Sequence, residues 1–396
     1  MKNKYNKTIY ACFIGYIVQA VVNNFVPLLF VILQASYQIP LEKITLLITL
    51  NFGLQLIIDL LSIGFIDRIG YRASVVIAHF CAAIGLVSLT ILPEIFTDKF
   101  MGLLIAVMIY AVGGGLLEVL VSPIVEACPT DNKEKAMSLL HSFYCWGHVG
   151  VVLITTIFLG VFGTERWNVL AVLWAVIPVL NGFLFLKVPI TSLVEKEEQQ
   201  MSLKSLIGNK VFWVLMLLMF SAGACEQAVS QWASTFAEKG LNVTKAVGDL
   251  AGPMMFATLM GTSRVFYGKY GEKIRLERFM LYSGILCLST YLVISLAPVP
   301  VIALIGCGIC GLSVGILWPG SFSMAAKGIP NGGTALFALL ALAGDLGCTG
   351  GPTFVGFVSS SFNDNLKAGI LGGIVFPMIL LLGIFLYQLE KKKKHT

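Results

Sequence analysis

Met101-Gly-Leu-Leu-Ile-Ala-Val-Met-Ile-Tyr110-Ala-Val-Gly113-Gly-Gly-Leu-Leu-Glu118-Val-Leu-Val-Ser122-Pro123-Ile-Val-Glu126-Ala127 is the stretch whose reading decides the fold. It is apolar for longer than the roughly 20 residues an α-helix needs to cross a hydrocarbon core of about 30 Å. Well inside it sits one carboxylate, Glu118. A charged side chain at that depth costs about 2.5–3.5 kcal/mol on insertion scales, so Glu118 is expected to face a bundle interior or a water-filled cavity and to serve function. The plain alternative is a structural carboxylate, paired or protonated between helices.

The rest of the chain repeats the pattern. Of its 396 residues 57% are hydrophobic and only 12% charged, and the mean hydropathy is +0.87. This composition excludes an ordinary soluble domain and points to an integral membrane protein. The apolar runs are of helix length and not the short alternating strands of an outer-membrane barrel, so the chain is expected to be all-α. The first run follows Lys2, Lys4 and Lys7, is too long for a signal-peptide core and lacks a small-residue cleavage site, so it reads as the first span. Nine cysteines lie mostly within apolar runs and suggest neither a disulfide framework nor a metal site. Cys307-Gly-Ile-Cys310 has redox spacing without the expected βαβ context and reads as core packing. The net charge of +6 does not imply nucleic acid, because the basic residues cluster at helix ends and in the Lys391 to Lys394 tail.

Twelve spans are expected, roughly 8–34, 41–66, 71–94, 100–127, 137–162, 167–190, 211–237, 247–270, 276–297, 299–325, 332–358 and 366–389. With both termini in the cytoplasm, only Lys43, Lys99, Arg166, Lys239, Lys245 and Lys367 of the 27 Lys and Arg residues fall outside, so the positive-inside bias selects that orientation. The polar stretch with Glu195-Lys-Glu-Glu198 lies midway along the chain. The expected organisation is therefore a six-helix half over 1–190, a cytoplasmic linker over 191–210, and a second six-helix half with a basic tail over 211–396. Internal similarity supports a repeat: Asn24 and Glu226 lie 202 residues apart, Asp67-Arg-Ile-Gly70 lies 201 before Gly268-Lys-Tyr-Gly271, and Pro123 and Pro319 lie 196 apart. A near-constant offset suggests pseudo-symmetric halves related by an axis along the membrane normal.

Polar residues within the spans recur at helical spacing, so each stripe is expected to face a shared interior. Span one carries Tyr16, Gln19, Asn23 and Asn24; span two carries Asn51, Gln55 and Asp59. Span five carries His141, Tyr144, Cys145 and His148 with Trp146, and span seven carries Glu226, Gln227, Ser230, Gln231 and Ser234 with Trp232. Amides and carboxylates that hydrogen-bond hydroxyls, interleaved with aromatic faces, suit a hexose. Gln19, Asn23, Asn24, Gln55, Tyr144, Trp146, His148, Gln227, Gln231, Trp232 and Trp318 are the substrate-binding candidates. Such residues also act as interhelical glue, and tryptophans as core or interface anchors. Glu226 and Asp345, near the centres of spans seven and eleven, join Glu118 as proton-coupling candidates. Asp59 lies nearer the cytoplasmic side and suits a gate network, and His79 has a packing reading only.

Gly64-Phe-Ile-Asp67-Arg68-Ile-Gly70-Tyr-Arg72, between spans two and three, resembles the major facilitator superfamily signature G-x-x-x-D-R-x-G-R-R, with Tyr71 replacing the first of the final basic pair. The resemblance implies an all-α membrane protein of twelve transmembrane helices in two pseudo-symmetric six-helix halves. In this reading Gly64 and Gly70 permit a tight turn, while Asp67, Arg68, Arg72 and Glu126 form a conformational latch that stabilises the outward-open state. Two further stretches look like the fucose:proton symporter family within that superfamily. Gly115-Leu-Leu-Glu118-Val-Leu-Val-Ser122-Pro123 resembles its glutamate-bearing fourth helix, and Asn23-Asn24 its first-helix Asn pair. The resemblance makes Glu118 the proton carrier and puts Asn23 or Asn24 near substrate. The family's aspartate after the Asn pair is absent here, where the chain reads Phe25-Val26-Pro27.

The expected function is proton-coupled symport of a neutral, hexose-like sugar by alternating access, in a cell (plasma or inner) membrane, by a multi-pass monomer. The partners are a small-molecule sugar and the lipid bilayer, with no nucleic acid. No cofactor and no metal are expected beyond the co-transported H+, or Na+ in a sodium-coupled variant. A drug:proton antiporter uses the same fold and is the nearest rival. No enzyme activity is expected: neither H-E-x-x-H nor G-x-S-x-G occurs, and Gly344-Asp345 lacks the Gly at 342 that an aspartyl intramembrane protease motif needs.

Overall fold

The computed structural model describes residues 2–129, 133–190, 201, 203–270, 274–329 and 332–393; for 2–4, 63–65, 67, 126, 133–138, 203, 268, 333–335, 337 and 392–393 it describes the backbone alone. Regular structure among these residues is helical throughout. The chain divides into two compact units, Met1–Val194 and Glu195–Thr396.

In the first unit α1 (Lys2–Asn24) passes through a 3-10 turn, Val26–Leu29, into α2 (Phe30–Tyr37). Pro27 causes the break: it cannot donate to the Asn23 carbonyl, so the helix is interrupted beside the Asn pair. There follow α3 (Leu41–Ile69), α4 (Tyr71–Ile95), α5 (Lys99–Ala127), α6 (Lys133–Phe162) and α7 (Trp167–Lys187). Pro93, Pro123 and Pro178 lie inside helices without ending them, as membrane helices tolerate where neighbours re-satisfy the backbone.

The second unit opens with α8 (Leu203–Ile207) and α9 (Lys210–Ser230), then α10 (Ala233–Thr235), a π-turn at Phe236–Gly240 and α11 (Lys245–Asp249). A second π-turn, Leu250–Met254, leads into α12 (Met255–Tyr270), followed by α13 (Leu276–Leu296), α14 (Pro300–Val314) and α15 (Leu317–Gly328). The unit ends with α16 (Gly333–Ser361), α17 (Leu366–Gly372) and α18 (Val375–Lys393). Glycines set the tightest packing here. A Cβ on Gly347 would overlap the Phe220 carbonyl, one on Gly223 the Gly344 carbonyl, and one on Gly351 would come within 2.6 Å of the Ala224 carbonyl. Helices α9 and α16 therefore meet backbone to backbone, the small-residue packing that replaces hydrophobic driving force in lipid.

Eleven segments among the described residues are long and apolar enough to cross a membrane, and they correspond to eleven of the expected spans. The remaining one, expected over 247–270, is helical but carries Asp249, Arg264 and Lys269. Among the described residues these eleven and this helix make twelve passes, the expected all-α membrane fold. Most of the expected linker, 191–200 and 202, lies outside the described residues, as do Gly271 and Lys273.

Candidate functional site

Three consecutive glycines on α5 build the first polar cluster. A Cβ on Gly113 would stand 2.5 Å from the Ala78 carbonyl oxygen of α4, and one on Gly115 would stand 3.0 Å from Gln55 Cα of α3. Both helices can thus close on α5, and Gln55 lies against Gly114, one turn before Glu118. From α1, Gln19 Nε2 donates to Glu118 Oε2 at 2.8 Å. One turn further along α1, Asn23 Oδ1 accepts from Gln55 Nε2 at 2.8 Å and from Asn51 Nδ2 at 3.3 Å. Gln55 Nε2 also donates to Asn51 Oδ1 at 3.0 Å. A turn before Gln19, the Tyr16 and Ser122 hydroxyls share a 2.9 Å hydrogen bond.

This cluster has spare acceptors. Gln19 and Gln55 are only 3% and 2% exposed, yet the Oε1 atom of each has no partner among the described residues. A buried acceptor left unpaired costs about 1–3 kcal/mol, so the pair favours a ligand that brings hydroxyl donors or a hard cation that the oxygens can coordinate. Asn24 turns elsewhere: its Nδ2 donates to the Ala20 carbonyl at 2.9 Å and reaches the Tyr144 hydroxyl at 3.5 Å. His148 on α6 is 3% exposed and forms no hydrogen bond with a described residue. Trp146, two residues earlier, is 48% exposed.

The second unit holds its central carboxylate differently. Glu226 Oε2 faces Arg264 Nη2 of α12 at 3.4 Å, an ion pair within the bundle. Its Oε1 accepts from Gln227 Nε2 at 3.3 Å, and Gln227 Oε1 accepts from Gln231 Nε2 at 3.0 Å. Trp232 is fully buried and its indole N–H donates to the Pro352 carbonyl at 2.9 Å. Its donor is spent on α16, so its position is that of a packing residue. The Trp318 ring lies against Gly344, where a Cβ would overlap it, and the next residue, Asp345, is 8% exposed.

Of the latch residues, Gly70 is the single residue between α3 and α4 and has φ +83°, a backbone that favours glycine. Arg68 and Arg72 are exposed. Arg72 Nη1 donates to the Phe185 and Leu186 carbonyls at 2.7 and 3.0 Å, satisfying backbone acceptors that the end of α7 leaves open. The side chains of Asp67 and Glu126, and the surroundings of Gly64, lie outside the described residues.

Sequence reasoning missed Arg264 and Asp249. Asp249 is buried, accepts a hydrogen bond from Ser234 Oγ, and pairs with Lys245 at 3.0 Å, which also reaches Glu238 at 3.1 Å. The signal was the one that singled out Glu118: a charge inside an expected span. His79, by contrast, is a strut. Its Nδ1 meets the Val75 carbonyl at 2.7 Å and its Nε2 meets Asn181 Nδ2 at 2.8 Å, while the same amide donates to Ala11 at 3.0 Å.

This arrangement of helices has solved counterparts. The chain is similar to the crystal structure of the E. coli fucose:proton symporter, at 15% identity and TM-score 0.66 over 97% of this chain and 99% of that one. It is similar to a bacterial homologue of the human lysosomal transporter Spinster, at 14% identity and TM-score 0.74 over 99% and 98% of the two chains. A D-xylose:proton symporter gives 15% identity and TM-score 0.74 over 97% of each chain. At these identities the likeness speaks to fold alone. No curated protein sequence matches the chain. The family model for the Major Facilitator Superfamily matches residues 12–352, and with that match added to the helical fold, the chain belongs to the major facilitator superfamily.

Proposed function

We propose that this transporter takes up a neutral, hydroxyl-rich solute of the hexose class together with protons, by alternating access, with Glu118 as the coupling carboxylate. The observation that supports this best is the 2.8 Å Gln19–Glu118 hydrogen bond beside two buried amide oxygens without donors. Hydroxyl groups are neutral donors that match such acceptors, whereas a lipophilic cation offers few and calls for a large apolar pocket. An ionised Glu118 accepts from Gln19 Nε2. A protonated Glu118 gains a donor, which the Gln19 amide receives by turning its Oε1 inward. That turn exchanges the group Gln19 offers a neighbouring ligand, which gives proton and solute a shared contact. Coupling then requires that both favour the same reorientation, since a ligand shifts an equilibrium only through differential affinity. The setting we propose is a cell membrane with both termini cytoplasmic, the protein acting as a monomer.

Proteoliposomes test the reading. Wild-type protein is expected to accumulate a hexose down an imposed proton gradient, and Glu118→Gln to keep hexose exchange while losing accumulation. Unchanged accumulation in Glu118→Gln overturns the role given to Glu118. A thermal-shift panel of hexoses against lipophilic cations tests the solute class, stabilisation by cations alone pointing to efflux. The same oxygens favour one second reading: Gln19 Oε1, Gln55 Oε1 and the Glu118 carboxylate suit a hard cation, and uptake that needs Na+ at fixed pH selects sodium coupling.

A further inference from the structure

Two discontinuous helices of the second unit touch one chain of hydrogen bonds. Helix α9 ends at Ser230, and Gln231 and Trp232 form the turn before α10. Helix α14 ends at Val314, and Gly315 and Ile316 form the turn before α15. The second break has a cause in the sequence: residue 319 is proline. It has no N–H for the carbonyl four residues earlier, so the Gly315 oxygen loses its helical donor. Arg264 supplies one, its Nε donating to Gly315 O at 3.2 Å.

The packing that brings Arg264 there is also written in glycines. A Cβ on Gly311 would overlap the Phe256 carbonyl, and one on Gly315 would stand 2.7 Å from the Met260 carbonyl oxygen. Helix α14 therefore runs against α12 over successive turns, and Arg264, one turn beyond Met260, reaches the freed carbonyl. The same guanidinium turns Nη2 to Glu226 Oε2 at 3.4 Å and to Met260 Sδ at 3.8 Å. A planar fork can serve a carbonyl and a carboxylate at once; the single ammonium of a lysine does so poorly. From Glu226 the chain continues through Gln227 to Gln231, inside the other break.

We propose that Gln231, Gln227, Glu226, Arg264 and the Gly315 carbonyl form a relay that locks these two helix breaks together, with Arg264 as the positioning residue. A proton or ligand taken by Glu226 opens the relay at the Arg264 contact and frees the breaks to move independently. The transport readouts rest on the function proposed above; the stability readouts do not.

Thermal melting of purified full-length variants supplies two double-mutant cycles. Arg264→Gln is expected to lower the melting temperature by about 5 °C, because it strands Glu226 and the Gly315 carbonyl. The loss is expected to shrink by at least half in a Glu226→Gln background, where no carboxylate is stranded. It is expected to shrink again in a Pro319→Ala background, where residue 319 regains its N–H. Losses that add independently in both cycles overturn the relay. If Arg264→Gln does not fold, Arg264→Lys takes its place in each cycle, with the same expected non-additivity.

Transport then separates positioning from scaffolding. Arg264→Gln/Glu226→Gln is expected to recover the melting temperature without recovering accumulation, and recovery of both leaves Arg264 a structural residue and overturns the proposal. Should the wild type accumulate no hexose, the functional reading fails while the melting cycles still decide the relay.

Discussion

Each unit sets a glutamate among its helices, Glu118 partly exposed and Glu226 buried, and the two are held by different chemistry. In the first, Glu118 accepts from a neutral amide, Gln19, beside the Asn23, Asn51 and Gln55 network. In the second, Glu226 faces the guanidinium of Arg264. The difference lies in what a proton does. On Glu118 it adds a donor beside a neutral amide that can either donate or accept. On Glu226 it removes the negative charge that faces the Arg264 guanidinium at 3.4 Å, which weakens an ion pair set among helices. The first arrangement suits a group that loads and unloads a proton in each cycle, and the second a lock that opens under a stronger stimulus. Two carboxylates that look alike in an apolar run thus divide in function according to what faces them.

The largest expected effect tests the packing beneath this contrast. Gly311→Val, whose first side-chain atom would overlap the Phe256 backbone, is expected to abolish folded protein in a detergent size-exclusion assay. Gly114→Ala meets only the Val22 and Gln55 side chains, at 3.0 and 3.1 Å, and is expected to fold with a lower solute affinity. Next comes removal of the charges themselves. Glu226→Gln is expected to destabilise by about 2 kcal/mol because Arg264, partly buried, stays charged beside it, whereas Glu118→Gln is expected to change stability by less than about 1 kcal/mol. Denaturant melts of both variants compare them directly, and equal losses would erase the distinction. A modest effect on stability belongs to the amides. Gln55→Leu removes the donor shared by Asn23 and Asn51 and is expected to cost about 1 kcal/mol, while raising the KM for solute roughly tenfold through the lost polar contact.

Much of the fold was legible in advance because lipid simplifies the problem: only helices can satisfy their own backbone across a bilayer, so length and apolarity alone mark the spans. Glu118, Glu226, Gln19 and Gln55 were legible for the same reason, as polar groups that lipid would reject. Arg264 and Asp249 carried that signal as well but stood in the least apolar span, where a charge contrasts less with its surroundings. The work of Trp232 was not legible. A tryptophan reads the same whether its N–H meets a ligand or the Pro352 carbonyl, and the choice depends on how closely α9 and α16 approach.

The sequence by itself determined the class, the membrane passes and the set of residues too polar to face lipid, because those follow from transfer energies that act residue by residue. It also held the cause of two helix breaks in Pro27 and Pro319, since a missing N–H is a property of the residue, but not their places, because Pro93, Pro123 and Pro178 leave their helices unbroken. Only the tertiary structure decided the pairings: Glu118 with Gln19, Glu226 with Arg264, and the freed Gly315 carbonyl with that same arginine. Those depend on which glycines let which helices close to contact, and hydrogen bonds that weaken within an ångström cannot be read from spacing along a chain.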